Sequence, residues 1–261
     1  MPESDHAALG DMLRAAVREA GVLALSYVRA DLKHWTKEKD SPVSEADIAV
    51  DALLRQRLGG TGYDWLSEEV VDDAARLNAR RVWVIDPIDG TRAYIAGLPD
   101  WTISAALVED GRPIVATVFA PVTDEFFFAT AGAGATCNGI AIRVSADETL
   151  AGARIAGPKR VLDNMLRHEP TLLVAPRVHS LALRFARVAQ GTLDAALAGG
   201  NSHDWDLAAA DLLVHEAGGT LSTLEGNLAH YNLREPVHGP LVAAGRARSL
   251  VLRELLQDWR S

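Results

Sequence analysis

The chain has 261 residues, 48% hydrophobic and 23% charged, which is the composition of a globular protein with room for one large domain or two smaller ones. Its net charge of −9 and lack of a basic patch argue against binding to a nucleic-acid polymer, and no apolar run approaches the roughly 18 residues of a membrane span. The single cysteine, Cys137, excludes an internal disulfide, and with no signal-peptide core near the N-terminus we expect a reducing, cytoplasmic location.

The first predicted elements are two amphipathic helices. Apolar residues recur at a spacing of three and four from about His6 to Val28, which predicts the first helix. A polar loop follows at Lys37–Pro42, and Ser44 opens a second helix that runs to Leu58. Ser44 and Asp47, three residues later, resemble a capping box, so the local pattern favours a helix-capping role for Asp47.

A pair of acids follows the next predicted strand. After the break at Gly59–Gly62, Tyr63–Leu66 is typical of a short strand, and it ends in Ser67, Glu68 and Glu69. Two adjacent side chains at a strand end cannot face the same way, so one of these glutamates can point into a site while the other faces a neighbouring shell or solvent. On local grounds a solvated surface pair is the simpler interpretation.

The most informative segment is an apolar run, Val82–Ile85, that ends abruptly in Asp86-Pro87-Ile88-Asp89-Gly90-Thr91. It predicts a buried strand, a turn and the first turn of a helix. Asp86 and Asp89 would then lie close enough to share a divalent cation, and the amides of Gly90 and Thr91 would point towards an anion. The alternative is an ordinary strand-end turn in which Asp89 caps the helix.

Strands dominate the next segment, and mixed elements complete the chain. Trp101–Ala129 predicts a meander, with a hairpin turn at Glu109-Asp110-Gly111, and Ala131–Ala135 is predicted to be a flexible turn. In the second half the pattern predicts strands at Ala153–Ala156, Leu172–Val174, Leu193–Ala198, Thr220–Leu224 and Pro240–Ala244, and helices at Pro158–Leu166, Ser180–Val188, Leu207–Ala217 and Ser249–Trp259.

A further acid, Asp206, follows Trp205 at the entrance to the predicted Leu207–Ala217 helix. Taken alone, it is a candidate N-cap of that helix. His203 and His215 are predicted to be a loop residue and a helix-surface residue. We do not expect either to bind metal, because the acids that accumulate along the chain offer oxygen ligands, which suit Mg²⁺ better than Zn²⁺.

Taken together in chain order, the acidic motifs form a recognisable pattern. The pattern comprises Asp47, Glu68-Glu69, Asp86-Pro87-Ile88-Asp89-Gly90-Thr91, Trp205-Asp206 and Gly218-Gly219. It resembles the inositol monophosphatase superfamily of Mg²⁺-dependent, lithium-sensitive phosphatases, and the resemblance covers nearly the whole chain. It implies an α+β fold, a layered αβαβα sandwich with an antiparallel sheet in the first half. We expect residues 1–150 to carry most metal ligands and residues 151–261 to form a smaller α/β half that contributes Asp206.

The resemblance also implies metal ligands. Glu68 and Asp86, with the carbonyl of Ile88, would hold a first Mg²⁺, while Asp86, Asp89 and Asp206 would hold a second. The chemistry is consistent without the family, because converging carboxylates repel one another unless cations lie between them. Cations at such a site neutralise a phosphate dianion and generate a nucleophile from water.

Catalytic and substrate-binding roles follow from the same resemblance. Glu69 would orient water near a third, weaker ion, and Gly90 and Thr91 would bind phosphate through their backbone amides. The Thr91 hydroxyl, paired with Asp47, would position the attacking water. The predicted function is therefore hydrolysis of a small phosphate monoester, such as inositol monophosphate, by a homodimeric enzyme that uses two or three Mg²⁺ ions. The alternatives are a non-catalytic phosphate- or metal-binding module and a structural protein whose acids are caps and surface.

The leaving group is less well specified. Inositol-hydrolysing members have an acid seven positions before the aspartate of the Trp-Asp pair, and here that position is Gly199. Arg92, after the central motif, resembles the residue found there in the bisphosphate-nucleotidase and histidinol-phosphatase branches. It is a candidate to bind a second phosphate, and an exposed position on a helix is an equal alternative. Arg177, His179 and Arg184 are further basic candidates, for which an ordinary helix-surface position is the favoured interpretation.

Overall fold

A computed structural model describes residues 2–28, 34–36 and 42–257. Its helices are α1 (Pro2–Val28), α2 (Glu45–Leu58), α3 (Thr91–Ile95), α4 (Lys159–His168), α5 (Leu181–Ala189), α6 (Asp204–Glu216) and α7 (Arg246–Gln257). Its strands are β1 (His34–Thr36), β2 (Pro42–Ser44), β3 (Asp64–Ser67), β4 (Arg81–Asp89), β5 (Thr102–Glu109), β6 (Arg112–Ala120), β7 (Glu125–Thr130), β8 (Gly134–Cys137), β9 (Ile140–Ala141), β10 (Arg154–Ala156), β11 (Leu173–Val174), β12 (Ala195–Ala198), β13 (Ser202–His203), β14 (Gly219–Thr223), β15 (Val237–His238) and β16 (Leu241–Gly245). None of the described helices combines the length and apolar character needed to cross a membrane.

The larger sheet has seven strands in the order β3-β4-β5-β6-β7-β8-β9. Every neighbouring pair from β4 to β9 is antiparallel, as the predicted meander requires, but β3 runs parallel to β4. The connection between β3 and β4 contains a short 3-10 helix at Ala74–Asn78 and returns the chain to the same end of the sheet. The parallel edge places the ends of β3 and β4, and therefore Glu68 and Asp86, next to each other.

The second sheet has five strands in the order β11-β10-β12-β16-β14, with β10 parallel to both of its neighbours and β16 antiparallel to both of its own. Side-chain alternation in β4 and β5 gives the seven-stranded sheet two apolar faces. Trp83 and Ile85 pack in a core with α1 and α2, whereas Val82 and Val84 pack in a core with α5 and α6.

The layers therefore follow the order α1/α2, seven-stranded sheet, α5/α6, five-stranded sheet and α4/α7. The core around α5 and α6 contains residues of both sheets. A further core lies between the five-stranded sheet, α4 and α7. This arrangement confirms the predicted αβαβα sandwich. The division of the chain near residue 150 stays a prediction, and α6 packs directly on the sheet of the first half.

Most predicted elements are present, and the differences have physical causes. The predicted flexible turn at Ala131–Ala135 is wrong at its end, because β8 begins at Gly134 and pairs with β7. The helix predicted from Leu207 begins at Asp204, and the predicted N-cap role of Asp206 is wrong, because Asp206 occupies the third helical position and accepts from the amide of the actual N-cap residue, His203. The helix predicted over Ser249–Trp259 begins at Arg246, and its predicted end lies outside the described residues, as does most of the Lys37–Pro42 loop.

Candidate metal centre and active site

A β-bulge brings the two acids of the central motif to one face of the sheet. Asp86 pairs with Ser104 and Asp89 pairs with Thr102, so β4 advances three residues where β5 advances two. Without the extra residue, side chains three positions apart on a strand would point to opposite faces. With it, both carboxylates face α5 and α6. Asp86 and Asp89 are 1% and 6% exposed.

Two helix starts supply further acids, and they do so with the same device. In α2 the Asp47 Oδ2 atom accepts hydrogen bonds from the Ser44 amide at 2.8 Å and the Ser44 hydroxyl at 2.6 Å. In α6 the Asp206 Oδ2 atom accepts from the His203 amide at 2.7 Å. Both acids occupy the third helical position, where a carboxylate closes a capping box. The capping role predicted for Asp47 is confirmed, and the same carboxylate also faces the site.

Three carboxylates form a compact cluster. Asp86, Asp89 and Asp206 each offer a carboxylate oxygen, and these atoms all lie within 4.8 Å of one another. Burial and the charges of Glu68, Asp89, Asp206 and Asp47 hold the pKa of Asp86 well above its usual range. Burial and the charge of Asp89 do the same for the pKa of Asp206. An all-oxygen set of close, buried, mutually repelling acids fits a divalent cation of the Mg²⁺ type.

Glu68 and Glu69 lie in the turn that follows β3. The Glu68 amide donates to the Ile85 carbonyl at 3.3 Å, and its carboxylate lies near enough to raise the pKa values of Asp86 and Asp206. Glu68 therefore borders the cluster, although it is not among the three acids whose oxygens lie within 4.8 Å. The half-buried Glu69 donates its amide to the Ser67 hydroxyl at 3.3 Å, and the water-orienting role assigned to its side chain stays a prediction.

A hydroxyl and a carboxylate are paired beside the cluster. The Thr91 Oγ1 atom lies 3.2 Å from Asp47 Oδ1 and 3.1 Å from the Ile88 carbonyl oxygen. The Ile88 amide in turn donates to Asp86 Oδ1 at 3.0 Å, which fixes that carboxylate. Burial raises the pKa of Asp47, although hydrogen bonds from Ser44 and Thr91 oppose this effect. Asp47 is therefore a stronger proton acceptor than an exposed aspartate.

The start of α3 has the predicted strand–turn–helix form. Gly90 is the N-cap residue and has a φ of +94°, a left-handed conformation in which a side chain is strained, and the backbone of Ser180 and Trp101 lies within 3.4 Å of where its Cβ would be. The alternative in which Asp89 caps α3 is wrong, because the Asp89 side chain turns to α5 instead.

The partners of Asp89 are residues that the sequence analysis missed. Its Oδ2 atom accepts from the Ser180 hydroxyl at 2.6 Å and from the Ala182 amide at 2.7 Å, at the N-terminus of α5. The Ser180 hydroxyl also lies 2.9 Å from Thr102 Oγ1, and Ser104 Oγ donates to the Trp205 carbonyl at 3.0 Å. Ser180 was predicted to be the first residue of a helix and is the N-cap residue of α5, but nothing in the sequence indicates which acid its hydroxyl contacts across the fold.

The candidate substrate residues are more dispersed. Arg92 is exposed on α3, and Gly199 is also exposed. Among the residues that the structure describes, only the Pro158 ring lies within 4 Å of the position that a Cβ atom on Gly199 would occupy. The amide of His179 donates to Asp100 Oδ2 at 2.8 Å, and its Nδ1 atom lies 2.7 Å from the same oxygen. The helix-surface interpretation is wrong for Arg184, which is half-buried because α5 lies between the two sheets.

Comparison with known proteins places these features in a family. Residues 7–258 match the model of the family described as the inositol monophosphatase family. The Nus factor SuhB of Pseudomonas aeruginosa is 40% identical over 82% of this chain and 84% of that protein. The histidinol-phosphatase of Mycobacterium tuberculosis is 34% identical over 82% of this chain and 86% of that protein. The solved structure of an IMPase from Thermotoga maritima has a TM-score of 0.81 and 26% identity, over 95% of this chain and 98% of that one.

Proposed function

The chain belongs to the inositol monophosphatase family of phosphatases, and from that premise we propose that it hydrolyses a small phosphate monoester with two or three Mg²⁺ ions. The observation that carries the proposal is the cluster of Asp86, Asp89 and Asp206, whose oxygens lie within 4.8 Å of one another. Their repulsion in a buried site needs a cation to offset it, and the family uses divalent metal. The phosphate of the substrate would then balance the positive charge of the bound cations.

The metal ligands we propose are those the fold brings together. Glu68, Asp86 and the Ile88 carbonyl would hold one ion, and Asp86, Asp89 and Asp206 would hold a second. When bound, the ions neutralise phosphate charge, lower the pKa of a water and stabilise the leaving alkoxide. The capping bond to Asp206 and the α5 bonds to Asp89 hold one oxygen of each acid in place. The other oxygen of each remains for the cation.

The residues around Thr91 are proposed to manage the proton of the attacking water. A hydroxyl has one proton, so Thr91 donates to Asp47 or to the Ile88 carbonyl and retains a lone pair that can accept from a water. The water transfers its proton to Thr91 Oγ1 as Thr91 passes its own proton to Asp47 Oδ1. The raised pKa of Asp47 favours that transfer.

Two further contacts complete the proposed site. The amides of Gly90 and Thr91, at the turn from β4 into α3, would donate to the phosphate oxygens, and Glu69 would orient water near a third ion. The positive φ of Gly90 allows the backbone to make this turn directly after Asp89. Arg92 is a candidate for contact with the remainder of the substrate.

The substrate proposed is a small phosphomonoester, with inositol monophosphate, a nucleoside bisphosphate and histidinol phosphate as the candidates. The absence of an acid at Gly199 removes an acceptor for ring hydroxyls, which weakens the case for inositol monophosphate. The name of the Mycobacterium tuberculosis relative supports histidinol phosphate as one arm of the test.

The experiment is a measurement of phosphate release with Mg²⁺ from inositol 1-phosphate, 3′-phosphoadenosine 5′-phosphate, histidinol phosphate and fructose 1,6-bisphosphate. We expect turnover of at least one compound, abolished by EDTA and restored by Mg²⁺, and a clear preference in kcat/KM would identify the branch. Absence of turnover together with a Mg²⁺-dependent rise in melting temperature would favour the non-catalytic binding module. Absence of both would favour a structural protein.

Three expectations from the sequence accompany this proposal. Lithium at millimolar concentration should inhibit, and insensitivity would weaken the assignment of Asp206 to the second ion. A homodimer is expected from the family and can be measured by light scattering of the purified protein. A cytoplasmic location stays a prediction from composition and from the single cysteine.

A further inference from the structure

A groove between α4 and α5 carries positive charge that the proposed chemistry has not used. We call it the α4–α5 groove; it has a volume of about 750 Å³ and is lined by Pro158, Lys159, Leu166, Val174, Arg177 and Arg184, among others. Lys159 is neutralised by Asp163, which also lines the groove, at 2.7 Å. The charge left over is that of two guanidinium groups, Arg177 and Arg184.

Arg184 is held in the groove without a carboxylate partner among the described residues. Its Nη1 and Nη2 atoms donate to the Leu197 carbonyl at 3.1 Å and the Val178 carbonyl at 2.8 Å. Its Nε atom is buried and has no hydrogen-bond partner within the part of the chain that the structure describes. Burial and the charge of Arg177 lower the pKa of Arg184, whereas the charge of Asp89 raises it. A guanidinium so placed is a ready site for an anion.

The groove adjoins the metal centre through α5. In the first turn of this helix, the Ala182 amide donates a hydrogen bond to Asp89 Oδ2 at 2.7 Å. Arg184 lies two residues later, close enough for its charge to lower the pKa of Asp89. The opposite wall reaches the position where an acid is missing, because the Pro158 ring lies 3.9 Å from a Cβ built on Gly199. A leaving group that extends from a phosphate at the acid cluster along the start of α5 would reach Arg184 and the groove.

We propose that the α4–α5 groove binds a second anionic group, a phosphate or a carboxylate, on the leaving group of the substrate, with Arg184 and Arg177 as its ligands. This inference rests on the proposed phosphatase function and narrows its substrate class. A cationic leaving group such as histidinol would meet two like charges there, and a neutral polyol would find no acceptor at Gly199. Both are disfavoured relative to an anionic leaving group.

Matched substrate pairs test the proposal directly. Fructose 1,6-bisphosphate and fructose 1-phosphate differ by a second phosphate, whereas 3-phosphoglycerate and glycerol 3-phosphate differ by a carboxylate. In at least one pair, we expect the compound with the second anionic group to have a kcat/KM about tenfold higher or more than its partner, because that group accepts charge-assisted hydrogen bonds from guanidinium. The pair with the larger ratio identifies the anion.

Variants assign the preference to the groove. Arg177→Gln changes an exposed residue, so the fold is retained, and it should reduce the ratio severalfold; Arg184→Gln should reduce it about tenfold, and Arg184→Lys should reduce it less. Arg160→Gln is the matched control, because Arg160 is exposed on α4 but does not line the groove. The control should keep both the ratio and the activity of the unmodified protein.

The outcomes separate this inference from the proposed function. Equal kcat/KM within both pairs, or ratios that survive Arg177→Gln and Arg184→Gln, would overturn the groove assignment while leaving the phosphatase intact. If no compound is hydrolysed, the proposed function fails, and calorimetry with fructose 1,6-bisphosphate in Mg²⁺ then tests the groove alone. Binding that Arg177→Gln weakens severalfold would support the anion site, and absence of binding would overturn it.

Discussion

The buried acid Asp194 and the cluster of Asp86, Asp89 and Asp206 differ in the charges that surround their carboxylates. Asp194, the residue directly before β12, accepts hydrogen bonds from the Arg154 amide at 2.8 Å and Arg154 Nε at 3.1 Å, and Arg248 Nη1 lies 3.6 Å from its Oδ1 atom. Burial alone would raise the pKa of Asp194, but the hydrogen bonds and charge of Arg154 bring it below its usual range. In the cluster of Asp86, Asp89 and Asp206, burial and neighbouring acids instead raise the pKa values of Asp86 and Asp206.

The difference shows where the neutralising charge comes from in each place. For Asp194 the chain provides the positive charge itself, so the acid stabilises the native state without help. For Asp86 and Asp206 the neighbours with the strongest influence on the pKa are other acids. For Asp89 they are hydrogen-bond donors at the start of α5, and the charge of Arg184 is a lesser influence. A chain that buries acids in this way gains from a metal ion, and the same substitution should have opposite consequences in the two places.

The largest effect is expected on turnover from Asp89→Asn. An amide keeps the hydrogen bonds to Ser180 and Ala182 but removes the negative charge offered to the cation. We expect kcat/KM to fall about a thousandfold or more with the fold intact, measured as phosphate release and by circular dichroism. Asp124→Asn is the matched control, since Asp124 is exposed and has a φ of +53° that asparagine readily adopts. Normal activity of Asp89→Asn would contradict the metal assignment.

Thr91→Val tests whether Asp47, which accepts from the Thr91 hydroxyl, has a role distinct from that of the proposed metal ligands. Valine keeps the shape of threonine but cannot bond to Asp47 or to a water. We expect about a hundredfold lower kcat with the Mg²⁺-dependent rise in melting temperature retained. Thr91→Ser, which restores the hydroxyl, is the control and should recover most of the activity. If Thr91→Val instead abolishes the Mg²⁺-dependent rise in melting temperature, Thr91 supports metal binding rather than proton transfer.

The layered fold and the residues of the cluster could be predicted from the sequence, because both depend on local patterns. Strand and helix periodicity predicted the elements, and the strand-end position of Asp86 and Asp89 identified these acids as candidate cation ligands. The β-bulge that brings these acids to one face could not be predicted, because it depends on pairing with β5. The parallel alignment of β3, which brings Glu68 beside Asp86, depends equally on tertiary pairing.

Partners that lie far apart in sequence were beyond local analysis. The Ser180 hydroxyl donates to Asp89, which lies 91 residues earlier in the chain, whereas the sequence predicts only that Ser180 begins a helix. The surface position predicted for Arg184 follows from the amphipathic pattern of its own helix, yet the side chain lies between two sheets. The capping boxes illustrate a third limit, since a residue can cap a helix and serve a site at once. Asp47 caps α2 through Oδ2 and accepts from the Thr91 hydroxyl through Oδ1.

A matched pair of substitutions tests the comparison on stability. In EDTA, Asp86→Asn removes one of several repelling charges and should raise the free energy of unfolding by about 1 kcal/mol. Asp194→Asn leaves the buried Arg248 without its anion and should lower it by about 2–3 kcal/mol. Urea denaturation of both variants measures the two values. Changes of the same sign would mean that the cluster is neutralised within the chain after all.

The smallest effect expected is a pH dependence that differs between the two groups. The pKa values of Asp86 and Asp206 are raised in the native state, so their contribution to stability is complete below the unfolded pKa of about 3.9 and is lost as pH rises through the folded values. The pKa of Asp194 is lowered, so its contribution is present above about 3.9 and is lost as pH falls through the folded value.

In EDTA we therefore expect the melting temperature to fall as pH rises from about 4 towards neutrality, and Mg²⁺ should reduce that fall by holding the carboxylates ionised. The net charge of −9 adds a slope of its own, so the informative quantity is the difference between the unmodified protein and Asp86→Asn. The variant should show the shallower slope in EDTA, by an amount corresponding to about 1 kcal/mol. Equal slopes would indicate that Asp86 is ionised without a cation, which would remove the electrostatic reason for a metal at this site.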